Sequence, residues 1–372
     1  MVTGKAAVFH GPGRFEIAEL PPVPVGPGGI RIRIVAAGIC GSDLHFWRGE
    51  LKPIVGGVEG PVILGHEMTG VVDVMGEGIS TDSLGRELSE GDRVVFPYFF
   101  PCMRCYQCLR GELNHCPVRF RFRSSVEAFP YCNGGFSEYY YLFPGHFVFK
   151  VPENLSSEAV AAANCAAAQA VYGLREARIQ FGDAVVIQGA GGLGIYAAAA
   201  AKEMGARQVI VLDGIAARLE LARQCGADET VDIKEYSTPR DRVERVRELT
   251  EGRGGDIVVE MVGYPQAVPE GLEMVRNGGV YVEAGNIAPD SMVTLDMSKI
   301  LFGQRRIVPV THYDPYILPV TLDFLSRTKD RYPLTKVMSH SFPLERITEA
   351  FEAAEWSGKG GESAVSRAFV TP

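Results

Sequence analysis

Positive charge is in deficit: 45 acidic against 37 basic residues give the 372-residue chain a formal charge of −8. A surface of that sign repels a phosphate backbone, which excludes nucleic acid as a partner. Long apolar runs are also missing. The longest, around Ala197 to Ala201, is alanine-rich and stops at Lys202 and Glu203, so no segment approaches the length of a membrane span. Met1 to His10 hold no apolar signal core. Cysteine is too sparse, at eight residues, for a disulfide scaffold, and a reducing, cytoplasmic setting follows. There is no internal repeat or low-complexity segment, and the glycine runs at Gly56 to Gly60 and Gly360 to Gly361 read as turns.

What is there suits a two-domain globular enzyme, since 46% hydrophobic and 22% charged residues are ordinary and the length is generous for one core. The first 150 residues or so are rich in glycine, proline and short β-branched runs such as Ile30 to Ala36, Gly70 to Val74 and Arg93 to Phe96. From about Ser156 helices and strands alternate. Strands are expected at Ala184 to Gln188, Gln208 to Asp213, Thr230 to Asp232, Asp256 to Glu260 and Gly279 to Ala284, with helices between them. That alternation predicts an α/β fold with a doubly wound parallel sheet. After about Arg306 short strands and turns return, ending in a small helix near Leu344 to Ala354 and a strand near Ala368 to Thr371. The expected division is 1–160, 161–306 and a tail, 307–372, that rejoins the first domain.

Four cysteines fall within fifteen residues, at Cys102, Cys105, Cys108 and Cys116, among the turn formers Gly111, Asn114 and Pro117. Four thiolates in one tight lobe make a closed tetrahedral shell, which suits a structural zinc and leaves no position for substrate. Unpaired core thiols or two disulfides are the bland alternatives; a nucleic-acid zinc ribbon conflicts with the acidic charge. A second motif, Gly189, Gly191 and Gly194 with Gly192 and Leu193 between, reads G-x-G-x-x-G directly after an apolar strand. Gly189 permits the tight turn, Gly191 lets a pyrophosphate approach, and Gly194 allows the helix to pack on the sheet. The helix N-terminus favours the negative charge. Asp213, nineteen residues past Gly194 at the end of the next strand, can accept both ribose hydroxyls and repel a 2′-phosphate, which argues for NAD. Arg218 either covers the same ribose or is a solvated helix cation.

Cys40 sits in Gly38-Ile39-Cys40-Gly41-Ser42-Asp43-Leu44-His45, and His66 in Gly65-His66-Glu67-Met68-Thr69-Gly70. With Gly76 and Ile79, the second run matches the zinc signature of the zinc-dependent medium-chain alcohol dehydrogenases, which this chain resembles along essentially its whole length. The resemblance implies a β-rich GroES-like catalytic domain beside a Rossmann domain, NAD, and two zinc ions per subunit. It implies Cys40, His66 and Cys165 as ligands of a catalytic zinc, with Glu67 as a transient ligand or a carboxylate beside it. Asp43 would hold the far N–H of the zinc histidine, while Ser42 and His45 would relay the proton to solvent. Arg367 would grip the pyrophosphate. The implied reaction is hydride transfer from an alcohol to the nicotinamide, leaving a ketone or aldehyde. A homodimer or homotetramer is also implied, through strand edges around Ala284 to Lys299.

Substrate is less legible. Phe46 and Trp47 follow the relay histidine, and Phe96, Tyr98 and Phe99 precede the cysteine lobe, so aromatic walls favour a secondary or cyclic alcohol; Phe99 and Phe100 read better as core. Two stretches exceed the short family pattern, Ser80 to Glu90 and Arg119 to Asn133. In the second, Arg119, Arg121 and Arg123 occupy alternate positions and share a face if extended. They could receive a phosphate, phosphonate, carboxylate or coenzyme A group of a polar or anionic substrate, or form a solvated strand edge. Cys132 and Cys225 receive no role.

Overall fold

Ile30–Gly38 alternates buried and wetted side chains until its last residues, the period-two pattern of a strand with one face on a core. In this computed structural model, which describes residues 3–21, 23–51, 60–358 and 367–372, it is the third strand. The turns expected at 56–59 and 360–361 lie outside the described residues. The first half runs β1 (Gly4–Gly11), β2 (Arg14–Leu20), β3 (Ile30–Gly38), β4 (Val62–Ile63), β5 (Glu67–Met75), β6 (Arg93–Val95), β7 (Tyr139–Leu142) and β8 (Phe149–Lys150). The last two strands of the chain are β15 (His340–Pro343) and β16 (Ala368–Thr371).

One sheet orders as β15-β16-β3-β5-β6-β8, with β7 also on β3; a smaller one orders as β2-β1-β4. The β3–β5 register ends at Gly38↔Glu67, so the loop carrying Cys40 and the turn carrying His66 leave the sheet side by side. β16 pairs with the same end of β3, Phe369 facing Gly38. The tail therefore does return to the first sheet, and it delivers Arg367 to that corner.

The second half supplies β9 (Ala184–Gln188), β10 (Gln208–Asp213), β11 (Glu229–Asp232), β12 (Gly255–Glu260), β13 (Val275–Glu283) and β14 (Arg306–Pro309). All pairs are parallel, in the order β11-β10-β9-β12-β13-β14. β9, buried at every residue, is central, as a strand covered by helices on both faces must be. The winding reverses between β9 and β12, and ligands of such sheets bind outside the strand ends at that switch point.

Three elements differ from the sequence reading. β14 extends the parallel sheet beyond Arg306, to Pro309. Ile317–Thr328 is a helix, not strand and turn: its buried Ile317, Leu318, Thr321, Leu322, Phe324, Leu325 and Thr328 follow a helical period. Its Pro319 lies in the first turn, where a missing N–H costs nothing. The segment Ala284 to Lys299, expected to supply strand edges, carries no strand and ends in the helix Met297–Gly303; the edge is β14.

Candidate active site

Cys40 precedes the short helix Gly41–Trp47, and its N–H donates to the Asp43 carboxylate (Oδ2, 2.9 Å). The other Asp43 oxygen accepts from the N–H of Gly65 at 3.3 Å and lies 3.6 Å from Nδ1 of His66. One buried carboxylate, 1% exposed, thus ties the Cys40 loop to the His66 turn. Cys165 comes from a separate element, the π-helical turn Ala163–Ala167. Its neighbour Asn164 fastens that turn. The Asn164 amide donates to the carbonyls of His66 (3.0 Å) and Phe96 (2.9 Å) and accepts from the N–H of Met68 (3.1 Å). The carbonyl of Asn164 in turn accepts from the Tyr313 hydroxyl.

Donor atoms of Cys40, His66, Glu67 and Cys165 come within 4.8 Å of one another. The Cys40 and Cys165 sulfurs are 4.0 Å apart, far beyond a disulfide. Two thiolates bound tetrahedrally to zinc at 2.3 Å stand about 3.8 Å apart, so the spacing fits a shared ion. Cys102, Cys105, Cys108 and Cys116 meet the same 4.8 Å criterion, with 3.5 Å between the Cys105 and Cys108 sulfurs. Chemically both donor sets suit zinc, one all-thiolate and one mixed.

The electrostatics of the first cluster favour a cation. Cys165 hydrogen-bonds to Cys40 and holds that thiol low, while the same contact, with burial, drives Cys165 up. Burial opposes charge on His66, yet Asp43 and the Cys40 sulfur outweigh it and raise the imidazole to about 10. Glu67, 0% exposed, is raised by burial to about 7 against the opposing pull of its ion-pair partner Arg367.

Cys40, His66 and Cys165 face a cavity of about 550 Å³, whose walls include Ser42, His45, Phe46, Tyr98 and Leu193. The loops after β12 and β13 close another side through Met261, Val262, Gly285 and Ile287. Buried Glu260 holds those loops together: Oε1 accepts from the N–H groups of Val262 and Gly263, both at 2.7 Å, and Oε2 from Gly285 N–H at 3.0 Å. A second cavity, about 510 Å³, opens outside β9 and β10 and is lined by Gly189, Asp213, Arg218 and Lys234.

Between the two cavities lies the glycine turn. Gly189 has φ +98°, a left-handed conformation that favours glycine. A Cβ on Gly194 would stand 1.9 Å from the Gly189 carbonyl oxygen, whereas one on Gly191 would meet nothing within 4 Å. That open space lies over the N-terminus of the helix Gly192–Glu203. Arg367 reaches the same point, its Nε 2.7 Å from where a Gly192 Cβ would be. Asp213 accepts from the N–H groups of Ala190 (2.8 Å) and Ile215 (2.9 Å).

The structure therefore brings together Cys40, His66, Glu67 and Cys165, and separately the four lobe cysteines, as the sequence suggests. Asp43 and Glu67 stand behind the cavity wall, Glu67 committed to Arg367. His45 lines the cavity with its Nδ1 2.5 Å from Glu50 Oε2. Several expectations need correction. Trp47 does not wall the cavity; it packs on Phe15 and Phe351. Phe96 is fully buried, as Phe99 is in line with its reading as core, leaving Tyr98 as the cavity aromatic of that run. Arg119 to Arg123 is not extended but turned, with Arg121 N–H to Val118 O and Arg123 N–H to Phe120 O each at 3.0 Å. Residues four apart then share a side: Arg119 and Arg123 line the cavity and Arg121 is exposed. Cys132 and Cys225 are buried, and burial raises each thiol to about 12. Asn164, Glu260 and His312 escaped the sequence reading; only the adjacency of Asn164 to Cys165 could have drawn attention to it.

Two family models match the chain, "Alcohol dehydrogenase GroES-like domain" over residues 26–153 and "Zinc-binding dehydrogenase" over 192–327. Among similar proteins, 5-exo-hydroxycamphor dehydrogenase of Pseudomonas putida is 31% identical, covering 95% of this chain and 96% of its own. Erythritol/L-threitol dehydrogenase of Mycolicibacterium smegmatis is 32% identical over 95% of each. An alcohol dehydrogenase crystal structure from Thermotoga maritima superposes over the whole of both chains with a TM-score of 0.90 at 30% identity. With likeness of sequence and architecture from end to end, the chain belongs to the zinc-dependent medium-chain alcohol dehydrogenase family, oxidoreductases that act on CH–OH donors.

Proposed function

We propose that the chain oxidises a secondary or cyclic alcohol to its ketone, with NAD as hydride acceptor and two zinc ions per subunit. The observation that carries this is the convergence of Cys40, His66 and Cys165 on a cavity whose other side is the switch point of the parallel sheet. When bound, zinc supplies Lewis-acid polarisation of the alcohol oxygen and the nicotinamide supplies the hydride acceptor. Cys40, His66 and Cys165 hold the catalytic ion, and Cys102, Cys105, Cys108 and Cys116 hold the structural one. Two thiolates neutralise the dication and a three-residue set leaves a position open for substrate.

Asp43 fixes the His66 ring and Asn164 fixes the Cys165 turn. Ser42 takes the hydroxyl proton and His45 passes it outward, its ring oriented by Glu50. Gly189, Gly191, Gly192, Leu193 and Gly194 receive the dinucleotide, with Arg367 beside the pyrophosphate. Asp213 accepts the ribose hydroxyls and Arg218 lies against the adenosine. Glu67, paired with Arg367, couples the two halves of the site. Residues 1–160 and 310–372 form one functional unit and 161–309 the other, β14 completing the sheet of the second.

Exposed Met292, Met297, Leu301 and Phe302, each more than 60% accessible, support a homo-oligomer formed on that side of the sheet. Sedimentation of the purified protein reads its stoichiometry. Among the described residues no helix is long and apolar enough to cross a membrane, in keeping with a small-molecule substrate in a cytoplasmic setting. The deciding experiment is NAD reduction by zinc-loaded protein across aliphatic secondary alcohols, cyclic alcohols and polyols. Turnover of secondary or cyclic alcohols is the expected result; none with any alcohol, with both metals and NAD bound, overturns the proposal.

A further inference from the structure

The cavity that the metal cluster faces is also lined by cations that the hydride reaction does not use. Arg119 and Arg123 both line that cavity, four residues apart in one turn. Their guanidinium carbons stand 5.1 and 4.8 Å from the ring centre of Phe120. Arg119 gives one N–H to the Cys116 carbonyl at 3.0 Å, and its Nε is buried with no partner. Among the described residues no carboxylate lies within ion-pair distance of either guanidinium, although 25 other pairs of described residues do form ion pairs.

Two like charges facing one cavity without a counter-charge are expensive. One aromatic face offsets about 1–2 kcal/mol of that cost. The surroundings do not help: beside Phe120, at 5.3 Å between ring centres, stands His312, which burial and then the two arginines hold neutral, down at about 3. Tyr98 packs on His312 and on His66, so this wall is continuous with the metal cluster. Guanidinium forks match the two oxygens of a carboxylate or phosphate.

We propose that Arg119 and Arg123 form an oxyanion subsite, so that the preferred substrate is a secondary alcohol carrying a carboxylate or phosphate at its far end. This deepens the dehydrogenase reading and rests on it. Neutral His312 and Tyr98 would border the connecting carbons, and the charged end would displace water from the arginine pair.

The test compares 3-hydroxybutyrate, 4-hydroxypentanoate and 5-hydroxyhexanoate with their uncharged amides, together with phosphate esters of matched hydroxyalkyl chains. Wild-type kcat/KM for the best acid or phosphate should exceed that for its uncharged counterpart by about tenfold, or 1.4 kcal/mol, and the ratio should fall towards one in the Arg119→Gln/Arg123→Gln variant. Because the ratio is taken within each protein, a loss common to both substrates cancels. Which anion shows the larger ratio separates carboxylate from phosphate. Equal turnover of charged and uncharged members by wild type, or an unchanged ratio in the variant, overturns the subsite. Should no alcohol be turned over, the dehydrogenase reading fails separately, and calorimetry of propionate and inorganic phosphate binding to the NADH-loaded protein still decides. Binding weakened about tenfold by the double substitution upholds the subsite; equal binding refutes it.

Discussion

Replacing Gly191 by alanine separates cofactor approach from folding, because the fold itself leaves room there. Its backbone is extended, φ −70° and ψ −173°, a conformation alanine adopts, and the new Cβ meets no atom within 4 Å. Alanine is a poorer helix N-cap than glycine by some tenths of a kcal/mol, offset by the lower entropy of its unfolded chain. Stability should therefore stay within about 1 kcal/mol of wild type by urea denaturation. The methyl group does occupy the space through which a pyrophosphate reaches the helix N-terminus. Losing one charge-assisted hydrogen bond costs about 1.5–3 kcal/mol, so NAD affinity by titration calorimetry should fall about 10- to 100-fold. Gly194→Ala makes the contrast. There the Cβ stands 1.9 Å from a backbone carbonyl oxygen, which no side-chain motion relieves, and the loss should be in stability, at least about 3 kcal/mol at the upper end of overpacking costs. A Gly191→Ala protein that binds NAD as wild type does would refute the placement of the pyrophosphate at this turn.

Other consequences follow from the same geometry. Asp213→Ser should raise the NADP-to-NAD ratio of kcat/KM by about tenfold or more as a repelling carboxylate is removed, measured with one alcohol and both cofactors; an unchanged ratio means Asp213 does not face the ribose. Asn164→Ala removes three hydrogen bonds, two that join the Cys165 turn to the His66–Met68 segment and one that joins it to the Phe96 carbonyl after β6. Supporting groups of metal ligands are worth about 10- to 100-fold in affinity, so competition with a chelator should show that loss at one of the two sites only. His146 is held down at about 4 by burial, so below an unfolded value near 6.5 the unfolded chain binds a proton that the folded one refuses. Its contribution is intact above about 6.5 and lost as pH falls towards 4, up to about 3 kcal/mol over that window. His146→Phe should flatten the acid limb of the pH–stability curve, and an identical limb would show that His146 is not its cause.

The features readable in the sequence were those in which function and local structure share a short span. The spacing Cys102, Cys105, Cys108, Cys116 puts four thiols in one short span, and Gly189 to Gly194 follows a strand whose five residues are all buried. Pairing Cys165 with Cys40 needed the family resemblance, because 125 residues separate them. Asn164 and Glu260 were missed because buried polar residues reveal their partners only in three dimensions. The arginine run misled for a different reason: alternate positions suggest a strand face, but the turns at Val118 and Phe120 place Arg119 and Arg123 together and turn Arg121 outward. Trp47 was drawn into the core by Phe15 and Phe351, which come from distant segments. The Ile317–Thr328 helix was obscured by Pro319, which is harmless in a first turn.

Metal content tests the central claim most directly. Purified wild type, Cys165→Ser and Cys108→Ser proteins would be loaded with zinc, dialysed and analysed for bound metal per chain, with cobalt substitution to report thiolate ligation. The expected outcome is two ions in wild type and one in Cys165→Ser, the remaining cobalt spectrum being that of a four-thiolate site. Two ions in Cys165→Ser with an unaltered spectrum would contradict the assignment of Cys40, His66 and Cys165 as the catalytic metal centre.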